Sequence, residues 1–299
     1  GKSYPKIRRY RKHSQNASDG TSLPLSCAGS APQEFREMLL WATLAEEGDV
    51  FATTLGPTNQ NYVATYERWQ AFASEHGLPV RFGIGETYDW PFEAIMQTAH
   101  AILSTSIAEG FGLAFLEPWL FGKPIIGRDL PAITADFKDH GIKFNQLYGT
   151  LLIPAEWIDI TKLRTAIDAG LTLAYAAYER PLPGDAVDRA LAAIRPSPDH
   201  IDFAGLNEAL QMEIIRHVLD NPEAKKLLPK LSVTPEPAII SGNADSIKKR
   251  YSLYEYANKL VQLYQTILSS DNKPATQYHN PAKVLDGFLQ PERFRLLRT

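Results

Sequence analysis

From about Gln33 the chain switches repeatedly between a helical period and short unbroken apolar runs. Phe35, Met38, Leu39, Ala42 and Leu44 recur near helical spacing, with Pro32 just inside the start, which predicts a helix from Gln33 to Glu47. Asp49 to Leu55 then reads as a strand that Gly56-Pro57-Thr58-Asn59 ends. The same order repeats: a helix from Tyr62 to His76 stopped by Gly77, a strand from Leu78 to Ile84, and a helix from Phe92 to His100. A strand follows from Ala101, a helix from Leu113 to Phe121, and a strand from Pro124 to Gly127. Strands separated by helices predict a doubly wound parallel α/β sheet, with ligands expected at the carboxyl ends of the strands.

The second half changes character. After a short strand at Leu151–Pro154 the patterns are helical: Ile160 to Tyr178, Ala186 to Ile194, Phe203 to Asp220 and Ile247 to Leu268. Pro181-Leu182-Pro183-Gly184 and Thr234-Pro235-Glu236-Pro237 break them apart. The expected organisation is therefore a basic, polar segment over 1–31, a Rossmann-like ligand-binding domain over 32–180 and a mostly helical extension over 181–299.

Composition narrows the function classes. The chain has 299 residues, 44% of them hydrophobic, enough for a packed core, and a formal net charge of -3, which gives no global attraction to nucleic acid. No apolar run approaches the roughly twenty residues of a membrane span, and the N-terminal stretch lacks the apolar core of a signal peptide, so a cytoplasmic location is expected. The single cysteine, Cys27, excludes an internal disulfide and fits a reducing compartment. Seven scattered histidines form no spacing suited to a transition metal, so no metal site is expected. Hydrolase elbows and Walker loops are absent.

The chemistry concentrates at Glu109-Gly110-Phe111-Gly112 and Glu117. Ala101 to Ser106 ends in small hydroxyl residues, as a buried strand does where it leaves a sheet. Between this strand and the following helix, glycines allow close approach of the backbone to a ligand, and unpaired N–H groups at a helix start favour an anion. A carboxylate farther along can accept two hydrogen bonds from a cis-diol. The plainer alternative is a helix start that uses glycine for the turn and glutamate for the dipole.

This spacing, with seven residues between the two glutamates, resembles the paired-glutamate motif of the retaining, nucleotide-sugar-dependent glycosyltransferases of family 4, which have the GT-B architecture. The resemblance continues through Gly122-Lys123-Pro124-Ile125-Ile126-Gly127-Arg128-Asp129 and is clear from about Gln33 to Asp139. It implies that Glu117 holds the ribose hydroxyls and that Phe111 and Gly112 present amides to the diphosphate, with Gly110 and Leu113 completing the turn. Glu109, the catalytic-site residue, touches the donor sugar and is not taken as a nucleophile. Gly85 lines the base pocket, while Arg128 and Asp129 sit where a loop would meet the donor. A strand near the start of the domain carries an arginine and a lysine in that family, for which Arg8 and Lys12 are the candidates; a solvated basic arm is the competing expectation for the same residues. Pro118 departs from the family pattern and predicts a local kink.

The expected function is a glycosyltransferase, specifically a metal-independent hexosyltransferase, with no cofactor beyond the nucleotide-sugar substrate and an unidentified acceptor. Enzymes of this architecture use a second α/β domain for the acceptor, and no room for one precedes Gln33. Two alternatives follow: a nucleotide-sugar binding module working with a partner chain that supplies the acceptor domain, and a sugar-nucleotide epimerase.

Overall fold

The computed structural model describes residues 25–27, 35–270 and 280–296. Strand β1 (Leu25–Cys27) precedes helix α1 (Phe35–Ala42), β2 (Phe51–Ala52) and α2 (Val63–Glu75). Next come β3 (Val80–Arg81), α3 (Ile84–Thr87), α4 (Phe92–Thr98), β4 (Ala101–Ser104), α5 (Glu117–Leu120), β5 (Ile125–Arg128), α6 (Pro131–Asp139) and β6 (Leu147–Tyr148). The remainder is β7 (Leu152–Pro154), α7 (Ile160–Ala177), α8 (Ala186–Ile194), β8 (His200–Asp202), α9 (Glu208–Asp220), α10 (Pro222–Leu227), α11 (Pro237–Arg250), α12 (Leu253–Ser269) and α13 (Pro281–Phe288).

The strands form two parallel sheets and one antiparallel pair. The larger parallel sheet runs β1-β4-β5-β6, with Leu25 opposite Ala101, Ile102 opposite Ile125 and Gly127 opposite Leu147. β2 and β3 pair in parallel beside it, and β2 lies next to β1. β7 and β8 are antiparallel, with Ile153 opposite Ile201. All four residues of β4 and of β5 are buried, because helices cover both faces of a parallel sheet and apolar residues then run on without alternation. The spacing of these two strands depends on Gly127, whose φ is +117° and where a Cβ would lie 2.0 Å from the Ser104 carbonyl oxygen.

One apolar core holds both halves of the chain. It joins Met38, Leu39 and Leu40 of α1, Trp69 of α2, Leu103 of β4 and Ile126 of β5 to Leu163 and Ile167 of α7, Leu191 of α8 and Ile214 of α9. The boundary expected at residue 180 therefore does not divide the core. A second cluster lies beneath the glycine motif, where Phe115, Leu116 and Trp119 pack with Phe137, Ile142 and Ile247.

Three departures from the sequence pattern have clear causes. The helix expected from Ile247 to Leu268 is two helices, because Ser252 leaves helical geometry and caps α12 through its hydroxyl, which accepts from the Glu255 amide. The helix expected from Phe203 starts at Glu208, capped by Asn207. The charged run Asp136 to His140, which by itself suggests a solvated turn, instead closes α6, with His140 as its C-cap: Pro131 opens that helix and Thr134 and Phe137 face inward. Among the described residues no helix is long and apolar enough to cross a membrane.

Candidate functional site

The glycine motif lies at the carboxyl end of β4, a central strand of the larger sheet. Beyond the strand, Thr105 and Ser106 stay buried, and the Ser106 hydroxyl donates to Oε1 of Glu109 at 3.0 Å. That bond anchors the Glu109 carboxylate against the strand end and leaves its second oxygen without a protein donor among the described residues. Phe111 is 88% exposed, so the tip of the turn faces out.

The two glycines differ in what they do. A Cβ at Gly110 would meet nothing within 4 Å. Gly112 has φ +69° and is buried, and a Cβ there would come within 2.3 Å of Ile133 on α6 and 3.0 Å of Phe137. Only glycine turns the chain so tightly against α6. After it, Leu113–Phe115 form a single 3-10 turn closed by amides of Phe115 and Leu116 donating to the carbonyls of Gly112 and Leu113, both at 2.9 Å. Among the described residues, the amides of Gly110, Phe111, Gly112 and Leu113 donate to no protein acceptor.

The helix expected over Leu113–Phe121 is thus a 3-10 turn followed by the four-residue α5. Pro118 explains the break. It has no N–H to give to the Ala114 carbonyl, so an unbroken helix cannot pass through it, whereas the first turn of a new helix tolerates it. Instead of the kink expected at Pro118, the chain starts a new helix, with Glu117 as the first residue of α5. Glu117 is half-buried, and its carboxylate has no hydrogen-bond or ion-pair partner among the described residues.

Arg128, at the end of β5, is occupied differently. Its Nε and Nη2 donate to Oε2 of Glu37 at 3.1 and 2.8 Å, Nη2 and Nη1 donate to the two oxygens of Asp202 at 2.8 and 2.9 Å, and Nη1 also donates to the Gly149 carbonyl at 2.9 Å. All five guanidinium hydrogens are taken by protein acceptors. Arg128 is 5% exposed and fixes α1, β5 and β8 to one another, with no donor left for a ligand. Burial alone would lower its pKa, but the Glu37 and Asp202 carboxylates outweigh that and hold it above the ordinary value. Burial pushes the Glu37 carboxyl up, against the pull of Arg128 and of the Tyr148 hydroxyl, which donates to Glu37 Oε1. Trp41 Nε1 completes the cluster by donating to Tyr148 Oη at 2.9 Å.

Asp129 accepts from the Thr134 hydroxyl at 2.5 Å and from Lys138 Nζ at 2.6 Å, which ties the loop after β5 to α6. Gly85 lies at the second parallel pair. Its amide donates to the Thr54 carbonyl at 2.8 Å, and a Cβ there would stand 2.9 Å from that same oxygen. Together with Thr53, whose hydroxyl accepts from the Gly83 amide at 2.8 Å, it holds the ends of β2 and β3 together. Arg8 and Lys12 lie outside the described residues. The first strand of the sheet is Leu25–Cys27, within the segment expected to be a polar arm, and residues 28–34 after it contain no basic side chain.

Between the loops that follow β4 and β5 lies a cavity of 220 Å³ walled by Ile107, Asp129, Pro131, Thr150, Gly205 and Arg295. No motif marks Thr150, Gly205 and Arg295 in the sequence, and they reach the cavity from distant segments. On the other side of Ile107 and Ala108 a cavity of 420 Å³ has mostly apolar walls, including Leu171, Tyr175, Tyr178 and Phe294. Among the described residues no group of three His, Cys, Asp or Glu side chains is placed to hold a metal ion.

No protein-family model matches the chain. No curated protein matches it either. Among solved structures, it is similar to a point mutant of S. aureus TarM in complex with Fondaparinux, alpha-GlcNAc-glycerol and UDP, with a TM-score of 0.38 and 12% sequence identity. The alignment covers 87% of this chain but 38% of the TarM chain, and a likeness at that score carries no argument about function.

Proposed function

We propose that this chain is the donor-binding part of a GT-B glycosyltransferase that moves a sugar from a nucleoside diphosphate to an acceptor with retention of configuration. One observation carries the reading: a turn with four amides that have no partner among the described residues, at the end of a central parallel strand, is followed by a carboxylate, Glu117, that likewise has none among them. A diphosphate needs donors and a ribose cis-diol needs an acceptor, and the turn offers them in that order.

The strand neighbours support the same reading. Placing the β2–β3 pair beside β1 gives the order β3-β2-β1-β4-β5-β6, that of a doubly wound nucleotide-binding sheet. The order in which successive strands are added reverses between β1 and β4, and ligands of such sheets lie outside the carboxyl ends of the strands at that crevice. In this assignment the amides from Gly110 to Leu113 stabilise the departing diphosphate, Glu117 binds the ribose, Glu109 places the sugar ring and Gly85 shapes the base pocket through its main chain. Arg128 and Asp129 brace the wall of the site. The nucleotide-sugar is the donor substrate, with no cofactor and no metal in the assignment.

The described residues contain one parallel sheet of this type, which favours a second reading in which the chain binds the nucleotide-sugar and another domain or chain supplies the acceptor. Two measurements separate the readings. Calorimetric titration with UDP, GDP and ADP, each with and without glucose or mannose, gives saturable one-site binding for one nucleotide under both. Transfer of label from the bound donor to an acceptor panel occurs only under the first. Absence of binding by every nucleotide would refute both.

A further inference from the structure

One stripe of α7 changes its role along the helix. Leu163, Ile167 and Leu171 follow one another at four-residue spacing within the core, and Ala174, Tyr175 and, just past the last helical residue, Tyr178 continue the same stripe. From Leu171 onward the stripe also lines the 420 Å³ cavity, to which Phe288 and Phe294 add two more rings. Two contacts tie α7 to α13 and the residue after it: the Tyr175 hydroxyl donates to the Leu289 carbonyl at 2.5 Å, and Tyr178 meets Phe288 edge to face at 6.2 Å. The Tyr175 hydroxyl is thereby engaged, and its ring is what it offers the cavity.

This cavity adjoins the candidate site. Ile107 and Ala108, which line it, are the two residues between Ser106 and Glu109, and the side chains of Ser106 and Glu109 are hydrogen-bonded to each other. A molecule held there lies against the loop that carries Glu109. We propose that the cavity binds the acceptor and that the acceptor is a compact aromatic alcohol, an assignment that rests on the transferase reading above. In the transfer, the acceptor's hydroxyl oxygen bonds to the anomeric carbon of the donor sugar, the bond from that carbon to the diphosphate oxygen breaks, and the hydroxyl proton leaves on the diphosphate.

Size and lining select this class. A volume of 420 Å³ lies within the range of about 300–1,000 Å³ in which pockets enclose small molecules. Aromatic ligands pack on aromatic walls in offset or edge-on geometry, and Tyr175, Tyr178, Phe288 and Phe294 supply four rings. A saccharide fits less well. Its hydroxyls would press on Leu171, Ala174 and the ring faces, and a polar group buried without a partner costs free energy. Of the α7 side chains that line the cavity, only Tyr178 brings a further hydroxyl, and the longer polar side chains, Gln290, Arg293 and Arg295, all come from one short segment.

Equilibrium dialysis of the full chain against 4-methylumbelliferone, an aryl alcohol, tests the assignment. The expected result is saturable one-site binding that Ala174→Trp, which fills the cavity, weakens at least about tenfold. Tyr178→Ala, which removes one half-exposed ring, should weaken it about two- to tenfold at an unchanged melting temperature. Calorimetric titration with the nucleoside diphosphate should give the same affinity in both variants and wild type, and label from the bound donor should pass to the hydroxyl of at least one member of a panel of phenols. Normal nucleotide binding without binding of the aryl alcohol would overturn the acceptor assignment and leave the donor site standing. Binding of the aryl alcohol by a chain that binds no nucleotide would remove the transferase reading and the acceptor role with it. Equal affinity in both variants, equally tight binding of methyl glucoside, or transfer to no phenol would also overturn it.

Discussion

Arg128 and Glu37, 91 positions apart, meet in the interior, where one carboxylate oxygen accepts from both Nε and Nη2 of the guanidinium. The contact joins the end of the strand after the glycine motif to a helix buried along its whole length. Asp202 on β8 takes the other side of the same guanidinium, so a single cation fixes three elements whose meeting point borders the 220 Å³ cavity. It sets the position of the loop after β5, and through it the wall of the proposed donor site.

Removal of that cation leaves the buried Glu37 carboxylate and the partly buried Asp202 carboxylate without their counter-charge. Arg128→Leu should destabilise the fold by about 3–5 kcal/mol, as breaking a buried pair does when one partner stays behind. Chemical denaturation at neutral pH measures this, and a loss below about 1 kcal/mol would place the pair among the weak surface bridges.

The same variant should change how stability depends on pH. Burial holds the folded-state pKa of Glu37 above the ordinary 4.5, so the folded protein binds this proton more tightly than the unfolded chain. The corresponding stability is complete below pH 4.5 and is lost as pH rises through the folded value. Without Arg128 the folded value rises further, so the stability difference between variant and wild type should narrow on acidification from pH 7 toward 4.5. Denaturation curves across that range check it, and a constant difference would contradict it.

Gly112→Ala should cost about 2 kcal/mol or more, since it places a side chain at positive φ and against Ile133. Gly110→Ala should stay within about 0.5 kcal/mol, because the added methyl meets open space. Thermal unfolding of the two variants separates a glycine that the turn requires from one that it tolerates.

Much of this arrangement is legible in the sequence where one local force decides. The apolar runs of β4 and β5, the helices α2, α7 and α8, and the glycine turn follow from periodicity and punctuation. What the sequence hides is set by distant partners. The expected ligand contact of Arg128 follows from its place at a strand end, but Glu37, Asp202 and Gly149 take its hydrogens, and no local pattern announces them. Strand β1 was hidden within a polar segment because its three residues gain their pairing from β4, 76 positions later. The placement of Glu117 at the first position of a helix is not legible, since Pro118 starts a new helix there instead of kinking an existing one.

The most direct measurement is calorimetric titration of wild type and Glu117→Ala with the nucleoside diphosphate that binds the wild type. Loss of charge-assisted hydrogen bonds to the ribose should weaken binding by about 1–3 kcal/mol, while the melting temperature stays unchanged because this carboxylate has no protein partner among the described residues. Equal affinity in the two proteins would contradict the donor-site assignment.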